Sequence, residues 1–290
     1  MFNTIDQLVS LAEKKDVKIS DIMIKQEALN SANGDEDAVV YRMSHHLNVM
    51  RQSVERGLKE NLKSRSRLAG GDARLLDLYN RNSETICGNL VITALSMATA
   101  TAEVNACMGA IVAAPTAGAC GVIPGCLFAL EKHWDLSEND LIHALFVAGA
   151  IGFVIANNAS ISGAECGCQA EIGSAAGMAA AAVTQLAGGT PRQCAHAVAI
   201  ALQSLLGLVC DPVAGLVEVP CIKRNAIATT VALSSADMTL AGLESIIPCD
   251  EVIEAMHRVG CSIPATLRET SMGGLATTKT AQEITKKIFG

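Results

Sequence analysis

Aromatic residues are scarce: five Phe, two Tyr and one Trp in 290 positions. Half of the residues are apolar, so the core has to be filled by Ala, Val, Ile, Leu, Met and Gly. Small side chains let helix axes approach closely, which points to tightly packed helices. Basic runs are missing as well. With 22 Lys+Arg against 29 Asp+Glu, the formal charge is −7. The one basic stretch, Lys59, Lys63, Arg65 and Arg67, is short. A nucleic-acid partner needs a basic face, so none is expected. Neither a P-loop nor a strand-bound GxGxxG occurs, and no internal repeat of solenoid length is visible. Charge is absent from Ile86–Ala102 and, after Glu103, as far as Leu130. A membrane span needs about 20 apolar residues, but Ala, Thr and Gly dominate here. Asn89, Asn105, Pro115 and Pro124 interrupt the stretch, and aromatic belts and flanking basic clusters are lacking. The stretch reads as buried helical core, with no membrane partner. Met1 to Lys14 has early acidic residues and no long apolar run, so no signal peptide is expected and the location is cytoplasmic.

What the chain does have is 11 cysteines. In a reducing compartment disulfides are not expected. Some of these thiols are small core residues, since free Cys is among the most buried types; the question is which are ligands.

Two regions differ in composition. In residues 1–70 charges are frequent and glycines few. Ile5, Leu8, Val9 and Ala12 fall at helical spacing, as do Met43, Leu47, Met50 and Val54. Ser20-Asp21 is placed to cap a second helix, and Asn33-Gly34-Asp35 reads as a break. This gives an N-terminal helical arm of two or three amphipathic helices. In residues 71–290, Ala-rich runs of helical length alternate with Gly/Pro breaks at Ala113–Gly125, Ser160–Gly173, Gly188–Pro191 and Asp211–Pro220. The runs are Asn89–Met108, Asn139–Ala156, Ser174–Leu186, Arg192–Gly207 and Ile222–Thr239, with a further helix at Asp250–Val259 and a final basic one. Ala is the best helix former, and β-branched alternation is scarce. The expected fold is all-α, with Gly/Pro-rich loops converging on a central site.

Three segments could carry chemistry. Ser160–Gly173 packs Glu165, Cys166, Cys168 and Glu171 among glycines between two apolar helices. Burying it without partners would be costly, although an ordinary loop with two small cysteines has the same composition. Cys210-Asp211-Pro212 and Pro220-Cys221-Ile222-Lys223-Arg224 place two sulfurs beside backbone-fixing prolines. The adjoining cations favour thiolate over thiol; a solvent-facing helix start is the plainer reading. Ala114–Gly125 offers Thr116, Ala117, Gly118 and Gly121, whose hydroxyl and amides could take a carboxylate, or could simply break a helix. Cys168 to Cys210 is a step of 42 residues and Cys210 to Cys221 one of 11. Neither matches zinc-ribbon or ferredoxin spacing, so a zinc ion shared with Cys166 stays open on residue types alone. The six histidines are isolated in helical contexts or on the arm, and core or surface roles are the first reading for each.

The strings APTAGACGVIPG (Ala114–Gly125), ISGAECGCQAEIGSA (Ile161–Ala175), CDPVAGLVEVPCIKRN (Cys210–Asn225) and SMGGLA (Ser271–Ala276) resemble the alpha chain of iron–sulfur-dependent L-serine dehydratase. MRQSVERGL (Met50–Leu58) and LAGGDA (Leu68–Ala73) add to the likeness, which spans roughly residues 45–280. The resemblance implies a lyase that deaminates L-serine to pyruvate and ammonia in amino-acid catabolism and gluconeogenesis. It implies a 4Fe–4S cluster held by Cys168, Cys210 and Cys221, with Cys166 the adjacent alternative and one iron open to substrate. The Thr116–Gly121 loop would hold the substrate carboxylate. The base is not identifiable, with Glu165 a weak candidate. Single-chain relatives begin with a beta-type domain, and some end in a cysteine; neither feature is visible here, where the last cysteine is Cys261. A separate beta chain and an oligomeric assembly are therefore expected. The rival readings are a cysteine-desulfurating lyase of the same superfamily and a non-catalytic iron–sulfur subunit.

Overall fold

The computed structural model describes residues 2–290, and among these the architecture is all helical. The N-terminal part holds α1 (Ile5–Lys15), α2 (Ile19–Ser31) and α3 (Glu36–Lys59). There follow α4 (Asp72–Asn82), α5 (Gly88–Ala106), α6 (Val122–His133), α7 (Glu138–Asn158) and the single turn α8 (Gly163–Cys166). The chain continues through α9 (Ser174–Leu186), α10 (Pro191–Leu205), α11 (Cys221–Leu240), α12 (Cys249–Ser262) and α13 (Lys279–Phe289). The only extended pairing among the described residues is one parallel bridge between Cys210 and Arg268.

Local chemistry explains the boundaries. Thr4 Oγ1 accepts the Gln7 amide to open α1, and Asp35 Oδ1 accepts the Ala38 amide to open α3. Ser137 with Asp140, and Thr190 with Gln193, form reciprocal caps on α7 and α10. Two expectations need correction, and one helix is new. Ser20 does not cap α2: the helix begins at Ile19, Asp21 accepts the Lys18 amide, and the buried Ser20 meets His143 and Gln185 instead. The break Ala113–Gly125 ends early, because α6 starts at Val122; Pro124 sits in its first turn, where no intrahelical donor is needed. Helix α4, whose sequence is charged and which buries only Ala73, is an addition.

The centre is α9. Ala175, Ala176 and Ala179 through Ala182 have no exposed surface, and α6, α7, α10 and α11 pack around them. Alanine faces let these axes close in. Likewise α3 and α5 touch through Gly57, where an added Cβ would lie 2.4 Å from the Ala100 carbonyl oxygen. One hydrophobic cluster runs from Phe2 in the N-terminal part to Met256 in α12. By length and composition α7 could cross a membrane, but Leu141, Phe146, Ile151 and Ile155 bury it in this core.

Candidate active site

The Gly-rich loops meet beside the N-termini of α9 and α11. The segment Ser160–Gly173 is more than a loop: α8 is followed by one π-helical turn, Gln169–Gly173, that runs into α9. Such turns recur at functional sites. Between α8 and that turn, Gly167 takes φ +75°, a region open to glycine. This reversal separates the two neighbouring sulfurs. Cys166 faces α12, whereas Cys168 faces Cys210.

Cys168, Cys210 and Cys221 come together, all buried. The neighbouring Cys210 thiol and the Arg224 guanidinium hold Cys168 below the ordinary thiol range. Cys210, beside that sulfur and buried, is pushed far up. Burial, followed by the nearby Cys168, pushes Cys221 up to about 12. Arg224 is fixed by the Val209 carbonyl at 2.8 Å and Asp211 Oδ1 at 2.9 Å. Asp211 Oδ2 accepts the Leu275 amide at 2.8 Å. Gly274 makes room, since a Cβ there would fall 2.5 Å from that oxygen. Lys223 points elsewhere and pairs with Asp72 at 3.0 Å, so only Arg224 supplies the expected cationic neighbour.

The Ala114–Gly125 loop is clamped against the same point. Asn225 Oδ1 accepts the Gly121 amide at 2.8 Å, while its Nδ2 donates to the carbonyls of Gly118 (2.7 Å) and Cys221 (2.9 Å). Thr116 Oγ1 donates to Glu171 Oε1 at 2.9 Å. Ala117 and Gly118 begin a single 3-10 turn, where the first amides lack an intrahelical acceptor. Glu171, on the π turn, is the carboxylate of this site. Added Cβ atoms at Gly118 and Gly163 would lie 3.2 and 2.9 Å from its Oε2, and the one at Gly163 would also lie 3.2 Å from Cys210 Sγ. Burial raises the Glu171 pKa. Glu171 belongs to the Ser160–Gly173 segment but is not among the site residues expected from the sequence; its offset of three from Cys168, which puts both on one helical face, is the signal for it.

Glu165 sits elsewhere. Its Oε2 accepts from Ser160 at 2.6 Å, and it lines a separate cavity with Cys166, His257, Cys261 and Arg268. There His257 lies between two sulfurs, 3.7 Å from Cys166 through Nδ1 and 3.7 Å from Cys261 through Nε2. The remaining buried thiols are packing groups. Burial alone drives Cys126 upward, and it is the main cause for Cys120 and Cys194, at about 12 each, and for Cys249.

With this geometry in place, comparison with known proteins is decisive. The family model described as serine dehydratase alpha chain matches residues 14–276. This chain belongs to the serine dehydratase alpha-chain family. It is 53% identical over 290 residues to the probable L-serine dehydratase alpha chain of Bacillus subtilis, covering all of this chain and 96% of the relative. It is 40% identical over 289 residues to the L-serine dehydratase alpha chain of Peptoniphilus asaccharolyticus, covering 99% of that protein. Against L-serine dehydratase 2 of Escherichia coli it is 42% identical over 267 residues, 90% of this chain but 58% of the relative. In this family the Cys168–Cys210–Cys221 centre and the Thr116–Glu171 pair lie within the matched span.

Proposed function

We propose that this chain is the catalytic alpha subunit of an L-serine dehydratase, a lyase converting L-serine to pyruvate and ammonia, with a 4Fe–4S cluster held by Cys168, Cys210 and Cys221. The observation that carries this is the convergence of three sulfurs from separate loops beside Arg224, with Glu171 adjoining Cys210. The donor set fits the group: three buried thiols, a guanidinium to offset thiolate charge, and glycines 118 and 163 keeping bulk away. When bound, the cluster supplies Lewis acidity that makes the β-hydroxyl a better leaving group.

The chain's own groups do the rest. Glu171 takes the Cα proton, oriented by the Thr116 hydroxyl. The Thr116–Gly121 loop receives the substrate carboxylate through the Ala117 and Gly118 amides; the Gly121 amide, spent on Asn225, shapes the loop. Loss of the Cα proton and the β-hydroxyl leaves aminoacrylate, which tautomerises and hydrolyses to pyruvate and ammonia without further help. A beta chain completes the enzyme, as the relatives' alpha-chain names suggest, and the assembly is cytoplasmic.

The test is anaerobic reconstitution with iron and sulfide, followed by pyruvate release from serine and from cysteine, with and without a beta chain. Expected is brown, air-sensitive protein with serine turnover. Faster turnover of cysteine would make it a desulfurating lyase, and a cluster without turnover under all conditions would make it a non-catalytic subunit.

A further inference from the structure

We propose that Cys166, His257 and Cys261 form a second metal site, for a soft divalent ion of the Zn2+ type, distinct from the Cys168–Cys210–Cys221 centre. One donor atom from each residue lies within 4.8 Å of the others. The two sulfur-to-nitrogen distances are each 3.7 Å. A tetrahedral zinc with bonds of about 2.3 Å to sulfur and about 2.0 Å to nitrogen sets that edge near 3.5 Å, so the edge to the nitrogen used needs only a few tenths of an ångström and the other sulfur has to swing further. The sulfurs now face different ring nitrogens. One ion takes one of these nitrogens, and rotation of the exposed Cys261 side chain brings its sulfur round.

The backbone is built for this approach. His257 and Cys261 stand four residues apart on one face of α12. Between them Gly260 presses directly on Cys166, where an added Cβ would fall 2.5 Å from the Cys166 Cβ and 2.8 Å from its sulfur. The three donors open onto a cavity of about 390 Å3 walled also by Glu165, Arg268 and Thr270. A fourth coordination position therefore faces solvent. Arg268, which donates through Nη1 to the Glu165 carbonyl at 3.0 Å, is the cation of that wall. Two thiolates and an imidazole select zinc-like ions over magnesium or calcium, which take oxygen. Two thiolates also neutralise the ion, so the Arg268 charge does not forbid it. The ion would tie α12 to α8, two residues before Cys168, and so steady the chain that carries the principal site.

The experiment uses the full chain, kept under reductant, stripped with a chelator and titrated with Co2+ and then Zn2+. Expected is tetrahedral cobalt with thiolate charge-transfer absorption, one equivalent of which belongs to this site and is displaced by one equivalent of Zn2+. Cys261→Ser should roughly halve the charge-transfer intensity and His257→Ala should weaken binding about tenfold or more, with helical circular dichroism unchanged. The triple variant Cys168→Ser/Cys210→Ser/Cys221→Ser should keep the cobalt signal; where it does not fold, Cys168→Ser alone serves. A signal indifferent to Cys261 and His257, a signal lost with the Cys168 group, or no uptake by the reduced chain each overturns the proposal. So does a Cys166–Cys261 disulfide as the only chemistry found. The readout is metal binding, so inactivity toward serine would count against the proposed function and leave this site standing.

Discussion

At the scale of single residues, three carboxylates with similar surroundings in sequence have different work. Glu171 adjoins Cys210 and is held by Thr116. Glu171→Gln should lower kcat for serine by roughly 10²–10⁴-fold, the range of a lost general base. KM and the iron–sulfur absorption should stay close to wild type; an undiminished kcat would remove Glu171 from the mechanism. Glu165, six positions earlier, bonds Ser160 in another cavity. Glu103 is structural: buried in α5, it accepts the Asp72 amide at 2.8 Å and so caps α4, whose own N-cap is Gly71. Burial raises the Glu103 pKa above its ordinary 4.5. The fold therefore prefers its protonated form. The stability this gives is whole below about 4.5 and is lost as pH climbs through the raised value. Glu103→Gln should flatten the fall in Tm as pH rises above about 4.5, read by circular dichroism; an unchanged slope would contradict the assignment. Cysteines divide in the same way. Cys221→Ser should lose bound iron, whereas Cys126→Ser, deep in the core, should keep it; iron content per chain separates the two.

At the scale of elements, the site depends on how α11 is placed. Asn225, one turn into α11, holds the Gly118 and Cys221 carbonyls and the Gly121 amide. Asn225→Ala leaves buried backbone groups unpartnered and should cost about 1–3 kcal/mol, with a loss of serine turnover. Equal loss of Tm but intact turnover would mean that the clamp serves stability alone. Glu218 works in parallel, accepting both Ser64 and Ser66 hydroxyls at 2.7 Å and tying the loop after α3 to the loop before α11. Helix contacts made through glycine are equally strict. Gly57→Ala forces α3 off α5 and should destabilise by about 1–3 kcal/mol in denaturant unfolding.

At the scale of the whole molecule, α1–α3 share one apolar cluster with the helices around α9. Thermal unfolding should thus be one transition by both calorimetry and circular dichroism. An early separate transition for the N-terminal helices would instead make them an independent arm.

Much of this was legible in the residues. Few aromatics and abundant alanine dictate close-packed helices, and the runs Ser174–Leu186 and Ile222–Thr239 lie within one residue of α9 and α11 at each end. The periodic positions Leu47, Met50 and Val54 are buried as their spacing requires. Local signals of this kind suffice because capping and helical periodicity act over a few residues. Contacts across long sequence separations were decided only by tertiary packing. The reversal at Gly167 sends Cys166 and Cys168 to different partners, Glu171 gains its place from Thr116, and His257 comes to rest between sulfurs 91 and 4 residues away. Spacing along a chain cannot encode which way a loop turns once helices press on it, and that turn is what assigns each sulfur and carboxylate its neighbours.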